Sequence, residues 1–393
     1  MRTHHKLSGL LACALAIAGC ASHPPEIELP PLPRVATSVA LDGVWYRQGQ
    51  PTHPVAYRQP GPLVSEGRVY HADRPDRVIA FDAASGRELW RQDLHGDDGV
   101  PAHINSRLGA GVDVVYAGTQ QGIVYAFGAA DGELLWKSRL SSEVAAPPVS
   151  NGRLVVARSN DGRIYGLDAG SGSPRWIQEA VVPPLSLQGA SRAHIADDRV
   201  YVGLDNGRLL AIAADSGEVL WETAIGIPEG RSEFERLVDL DADPVHDGSA
   251  LYVASYQARI ASVSAISGRI HWSRDLSSHQ GLRFDGARLY VSTDDAQILA
   301  LDPDNGAILW RQDGLSGREI TAPVLHGDMV AVADFRGYMH FLSPEDGRFV
   351  GRLRLSEAPI TADPVSDGAR VYVVDAVGAI QAMQLSGIVP EVP

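Results

Sequence analysis

Apolar and polar residues alternate along this chain in short runs, with Gly and Asp between them. "GRVYHAD" (67–73) and "GRLVVAR" (152–158) read as strands, and "SNDG" (159–162) reads as the turn between two of them. A period of two closed by turn residues is the signature of β-hairpins. No amphipathic helical stretch interrupts it. Each unit reads as a β segment, a short polar turn, a second β segment, a turn closing on glycine, and a short strand ending in tryptophan.

The last part of the unit recurs almost as a phrase: "VIAFDAASGRELW" (78–90), "VYAFGAADGELLW" (124–136), "IYGLDAGSGSPRW" (164–176), "LLAIAADSGEVLW" (209–221), "IASVSAISGRIHW" (260–272) and "ILALDPDNGAILW" (298–310). Subtracting successive tryptophan numbers gives intervals of 46, 40, 45, 51 and 38 residues, which is a propeller blade period. One four-stranded sheet cannot cover its own apolar faces, so the units must stack around an axis and close. A seventh phrase, "MHFLSPEDGRFVG", has Gly351 where tryptophan is expected. An eighth unit (367–385) has inner strands but no tryptophan strand, while "DGVWYRQ" near the start carries Trp45 with no strands ahead of it. The two fragments complete one blade. The expectation is an all-β, eight-bladed β-propeller of four-stranded antiparallel blades over 41–393, closed by an N-terminal strand joining the last blade.

Within the phrase, Gly86, Gly132, Gly172, Gly217, Gly268, Gly306 and Gly347 sit where the turn needs positive φ. Asp82, Asp168 and Asp302 are placed to accept hydrogen bonds from turn amides. Each tryptophan reads as a ring wedged between blades, burying roughly 150–250 Å².

Acidic residues outnumber basic ones by 48 to 34, a net charge of −14, and no basic run stands out. Nucleic acid is therefore a poor partner. The apolar share, 45%, suits a folded chain with a large core.

The first residues follow a different pattern. "MRTHHK" precedes the apolar stretch "LSGLLACALAIA" and then "GCASHPPEIELPPLP". A basic start, a short apolar core and small residues describe an export signal over 1–19. Ile17, Ala18, Gly19 and Cys20 fit a bacterial lipoprotein signal, in which Cys20 is lipidated and becomes the new first residue. The only other cysteine, Cys13, lies in the apolar core, so Cys20 has no internal disulfide partner after processing. Acyl chains on Cys20 imply a membrane anchor, and Ala21 and Ser22, with no Asp after the cysteine, suit the outer membrane. Pro24, Pro25, Pro30, Pro31 and Pro33 deny a helix, so 20–40 reads as a tether.

Chemistry is harder to find. No H-E-x-x-H, G-x-S-x-G or phosphate-binding loop is present. His103, His246, His279 and His326 fall in predicted loops or blade edges, where a surface imidazole is the default. "DLDADPV", with Asp239, Asp241 and Asp243, starts like a calcium loop but places Pro244 where the turn glycine belongs and lacks the closing Glu. No metal or cofactor is expected.

The repeat resembles the tryptophan-docking repeats of pyrroloquinoline quinone dehydrogenases, which also have eight blades. That resemblance implies a vicinal cysteine pair, a calcium ion and a catalytic Asp, and it keeps a quinone-dependent oxidoreductase as the alternative function. One cysteine after processing excludes the pair, and no insertion is long enough to roof a cofactor. The whole chain from Cys20 onward, with its lipoprotein signal, tether and eight blades, resembles the BamB family of outer membrane protein assembly factors. Two longer connections carry the closer resemblance: "PPLSLQGAS" and "GRSEFERLVDLDADPV". In the family a Leu-x-Leu-Arg stretch and a Glu-x-x-Arg-Leu-x-Asp-x-Asp stretch meet the POTRA domains of BamA. Leu185 and Leu187 match the two leucines, Gln188 replaces the arginine, and Glu233, Arg236, Leu237, Asp239 and Asp241 match the second stretch. Leucines beside Arg and carboxylates offer an apolar centre with a charged rim. The implied protein is a non-catalytic scaffold of the barrel assembly (BAM) complex, monomeric within it, which assists folding of unfolded outer membrane precursors.

Overall fold

Each repeat folds into a four-stranded antiparallel sheet, and the computed structural model, which describes residues 30–390 apart from 36, 52–58, 105, 186–190, 228–230, 233, 234 and 236, holds eight of them. Blades 1 to 7 occupy 63–93, 109–139, 149–179, 194–224, 245–275, 282–312 and 324–354. The first strands of neighbouring blades approach one another, which places them innermost around a central channel. There is no single core. Eight apolar clusters, each shared by two adjacent blades, fill the spaces between the sheets. A blade is therefore stable only between its neighbours.

Blade 8 is made from both ends of the chain, as the fragments in the sequence require. Thr37–Arg47 pairs antiparallel with Ile380–Pro390 and forms the outer strand of the sheet, beside Arg370–Val374 and Val365–Ser366. This strand starts four residues before the boundary expected at 41. The end of the tether also joins the fold. Val35 is buried, and Leu32 packs against the cluster containing Trp310 and Leu315. Arg352 donates to the Pro33 carbonyl (3.0 Å) and Arg318 to that of Pro30 (3.5 Å).

The junctions repeat one device seven times. The Trp90 indole N–H donates to the Ala129 carbonyl of the next blade (3.1 Å), Trp136 to Ala169 (2.9 Å), Trp176 to Ala214 (2.8 Å) and Trp221 to Ala265 (3.2 Å). Trp272, Trp310 and Trp45 do the same to Pro303 (2.7 Å), Pro344 (2.7 Å) and Ala83 (3.0 Å). Each ring lies on the turn between the third and outer strands of that next blade. The turn glycine has positive φ, and a Cβ there would collide with the indole: at Gly172 (φ 71°) it would stand 2.4 Å from Trp136. Glycine serves twice, in the backbone and in the socket. Asp82 and Asp168 accept from the Ser85 and Ser171 amides, and Asp302 from that of Asp304, as expected.

The eighth junction lacks the device for a topological reason. Gly351 lies in the outer strand of blade 7, Phe349–Arg354, where a tryptophan would dock on the third-to-outer turn of blade 8. Those two strands of blade 8 come from opposite ends of the chain, so that turn does not exist. One expectation changes: His326 is buried on the innermost strand of blade 7, bonded to Ser366 Oγ at 2.9 Å, and is not a surface imidazole.

Candidate functional site

A blade's outer strand leads into the next blade through a connection at the end of the ring that also carries the second-to-third-strand turns. Most of these connections are short, and the one from blade 4 to blade 5 (225–244) is the longest at 20 residues by subtraction. This segment and the blade 3–4 connection (180–193) approach the Leu204–Gly207 turn of blade 4. Asn206 Nδ2 donates to the Val181 carbonyl (3.4 Å). Leu240 N–H donates to the Leu204 carbonyl (3.2 Å), and a Cβ on Gly207 would meet Val238 Cγ2 at 3.0 Å. The two stretches singled out in the sequence thus share one end of adjacent blades.

The long connection is fixed by its own side chains. Leu237, Val238, Leu240 and Ala242 are buried, the Val238 carbonyl accepts from Ser255 Oγ (2.9 Å), and the Asp239 carbonyl accepts from Tyr256 N–H (2.9 Å). Upstream, Ser232 and Glu235 cap one another: Ser232 Oγ accepts from Glu235 N–H (3.2 Å) and the Glu235 carboxylate from Ser232 N–H (3.2 Å) and Arg231 N–H (2.7 Å). This reciprocal pair follows the Ser-x-x-Glu spacing of a capping box. Those amide bonds hold the Glu235 carboxyl below its ordinary value. The blade 3–4 connection is held by Arg158, which donates to the Ser191 carbonyl (3.0 Å) and to Asp205 (3.2 Å).

Between these anchors aliphatic side chains are left in solvent. Val181 is 77% exposed, Val182 40%, Leu185 44% and Ile227 59%. Of the residues expected to meet a partner, Leu185 is in this set and Asp241 is half-buried. Leu237 and Asp239 are 4% and 0% exposed, so in the free chain their side chains support the segment and offer no surface. Leu187, Gln188, Glu233 and Arg236, together with Cys20, lie outside the described residues.

Sequence reading missed a charge cluster where both connections enter the channel. Asp243 Oδ2 meets Arg107 Nη2 at 2.7 Å and Arg192 Nε at 3.6 Å, and its Oδ1 accepts from Arg192 N–H at 2.7 Å. Arg107 also reaches Asp363 (3.8 Å), whose Oδ1 accepts from Ala322 N–H (3.0 Å). Burial would raise the Asp243 carboxyl, but Arg107 and then Arg192 outweigh it and hold it at about 2. Asp243 in turn pushes the Arg107 guanidinium up, whereas burial pushes that of Arg283, close by, down. The common signal was positional: Arg107, Arg192, Asp243 and Asp363 each stand two residues before the innermost strand of their blade. Among the described residues no three His, Cys, Asp or Glu side chains converge to hold a metal.

The family model described as outer membrane protein assembly factor BamB matches residues 43–108, 74–312 and 300–389. The chain belongs to the BamB family. It is similar to the outer membrane protein assembly factor BamB of Alkalilimnicola ehrlichii, with 42% identity over 95% of this chain and 96% of that protein, and to that of Pseudomonas aeruginosa, with 36% identity over 94% and 96%. The crystal structure of BamB from Moraxella catarrhalis superposes with a TM-score of 0.78 at 25% identity, covering 88% of this chain and 100% of that one. A quinohemoprotein alcohol dehydrogenase from Comamonas testosteroni superposes with a TM-score of 0.67 at 13% identity, covering 88% and 77%. That second likeness is one of fold alone.

Proposed function

We propose that this protein is an outer membrane protein assembly factor acting as a non-catalytic scaffold of the BAM complex, and that it binds the POTRA domains of BamA through the connections from blade 3 to blade 5. In this reading Cys20 carries the lipid that holds it to the outer membrane, with the propeller facing the periplasm, and the scaffold assists folding and insertion of barrel precursors. The observation that carries the binding face is the group of exposed Val181, Val182, Leu185 and Ile227 on two connections flanking one turn. The exposed aliphatic residues of the repeat itself, such as Leu134, Leu220 and Leu309, lie on the outer strands of separate blades. An apolar centre beside half-buried Asp241 and exposed Arg231 and Glu235 has the composition of a protein interface. Membership of the family supports the assembly role.

Titration of the processed chain against the POTRA domains of BamA from the same organism tests this. The double variant Leu185→Asp, Asp241→Arg should fold as the unaltered chain does and bind at least about tenfold more weakly, the loss of about 1.4 kcal/mol expected when an apolar anchor is removed. Equal affinity of the two would remove the proposed face.

A further inference from the structure

Asp243 ends one of the two connections proposed to meet the partner and touches the other. Its carboxylate accepts from the main-chain N–H of Arg192, the last turn of the blade 3–4 connection, at 2.7 Å. It is itself the last charged residue of the blade 4–5 connection, just before the innermost strand Val245–His246. The guanidinium of Arg192 also approaches it at 3.6 Å, but the nearest guanidinium comes from neither connection. Arg107 precedes the innermost strand of blade 2, Gly109–Gly111, three blades away around a ring of eight, and meets Asp243 at 2.7 Å. A pair between blades that far apart must cross the channel. Arg107 also approaches Asp363 (3.8 Å), before the innermost strand of blade 8, and Asp363 accepts from Ala322 N–H of the blade 6–7 connection.

We infer that Arg107 is the centre of a latch across the channel and acts as a positioning residue: through Asp243 it holds both partner-facing connections in their binding shape. This rests on the function proposed above. Besides the buried Leu237 to Leu240, the described residues of 180–193 and 225–244 meet the Leu204–Gly207 turn through a few hydrogen bonds, such as Asn206 Nδ2 to the Val181 carbonyl and Leu240 N–H to the Leu204 carbonyl, each of modest net strength. The charge-assisted contact at their channel ends, with the Asp243 side chain 16% exposed, is stronger. Removing the arginine takes away the cation that Asp243 and Asp363 share, and the cheapest relief is movement of the segment that carries Asp243.

Two measurements on the processed chain test this. Hydrogen exchange needs no partner. Arg107→Ala should speed exchange of the amides in 238–243 by about tenfold or more while those of Val114–Gly118, in the blade that carries Arg107, stay protected, and Arg107→Lys should restore most of the protection. Unchanged exchange in 238–243, or equal loosening of blade 2, would overturn the latch. Affinity for the POTRA domains comes second. Arg107→Ala should weaken it about five- to tenfold, with Arg107→Lys near the unaltered value. If exchange rises yet affinity is unchanged, the positioning role is overturned. If the unaltered chain does not bind those domains at all, the proposed function falls, and the exchange result alone decides the latch.

Discussion

The tryptophan junctions and the two connections around blade 4 are built on opposite principles. At a junction, every group is used inside the chain: the Trp136 ring lies on Gly172, its N–H on the Ala169 carbonyl, and its face against Tyr116 at 5.8 Å between centroids. At the connections, buried Leu237, Val238 and Leu240 hold a segment whose neighbours Val181, Leu185 and Ile227 stay in water. The first arrangement carries stability, and it repeats because each blade poses the same problem. The second does not repeat, and its exposed side chains cost the free chain rather than stabilise it. A family of scaffolds can therefore keep the frame and place recognition in the departures from it.

Substitutions can break this comparison, starting where the effect on stability is largest. Trp136→Ala removes a ring shared by blades 2 and 3 and should cost about 3–5 kcal/mol in denaturant unfolding, while affinity for a partner, measured where the variant is folded, stays unchanged. Gly172→Ala adds a methyl group 2.4 Å from the same ring at φ 71° and should cost about 2–3 kcal/mol. A loss under about 0.5 kcal/mol there would mean that the socket yields easily.

Asp243 lies at the end of the longer connection and at no junction, and its effect should be smaller. Its carboxyl is held at about 2, below its unfolded value of 3.8, so the folded state gains from its ionised form. That gain, about 2 kcal/mol, is complete above about pH 4 and is lost as pH falls through about 2. Arg107, Arg192 and Arg283 lie beside it, and Arg107 also approaches Asp363. Asp243→Asn should flatten this part of the stability–pH curve. A curve that overlays the unaltered chain would show that Asp243 is not tuned by the cluster.

Much of the frame was legible in the sequence because its causes are local and recur. The recurring glycine and tryptophan of the phrase marked the turns and the rings between blades, though not that each ring docks on the glycine of the next blade, and the unmatched Trp45 and the incomplete unit at 367–385 gave the closure. The vacancy at Gly351 was visible, but its reason was not, since it depends on which strands meet in blade 8. Burial of Leu237 and Asp239 was hidden because the groups that hold their segment, Ser255 on Val238, Tyr256 on Asp239 and Leu204 on Leu240, belong to turns that no local pattern connects to it. Arg107 and Asp243 are 136 residues apart and meet only once the ring has closed. The docking of Pro30 and Pro33 on Arg318 and Arg352 was masked by a proline-rich composition that reads as spacer.

The smallest stability effect is expected where the functional effect is greatest, and the most direct test measures both quantities on the same samples. Unfolding free energy and affinity for the POTRA domains would be determined for the unaltered chain, for Trp136→Ala, and for Leu185→Asp with Asp241→Arg. The account predicts that the tryptophan variant loses stability and keeps affinity, while the surface variant stays within about 0.5 kcal/mol of the unaltered chain and loses affinity at least about tenfold. Affinity that follows stability in both variants, or a surface variant that binds like the unaltered chain, would contradict it.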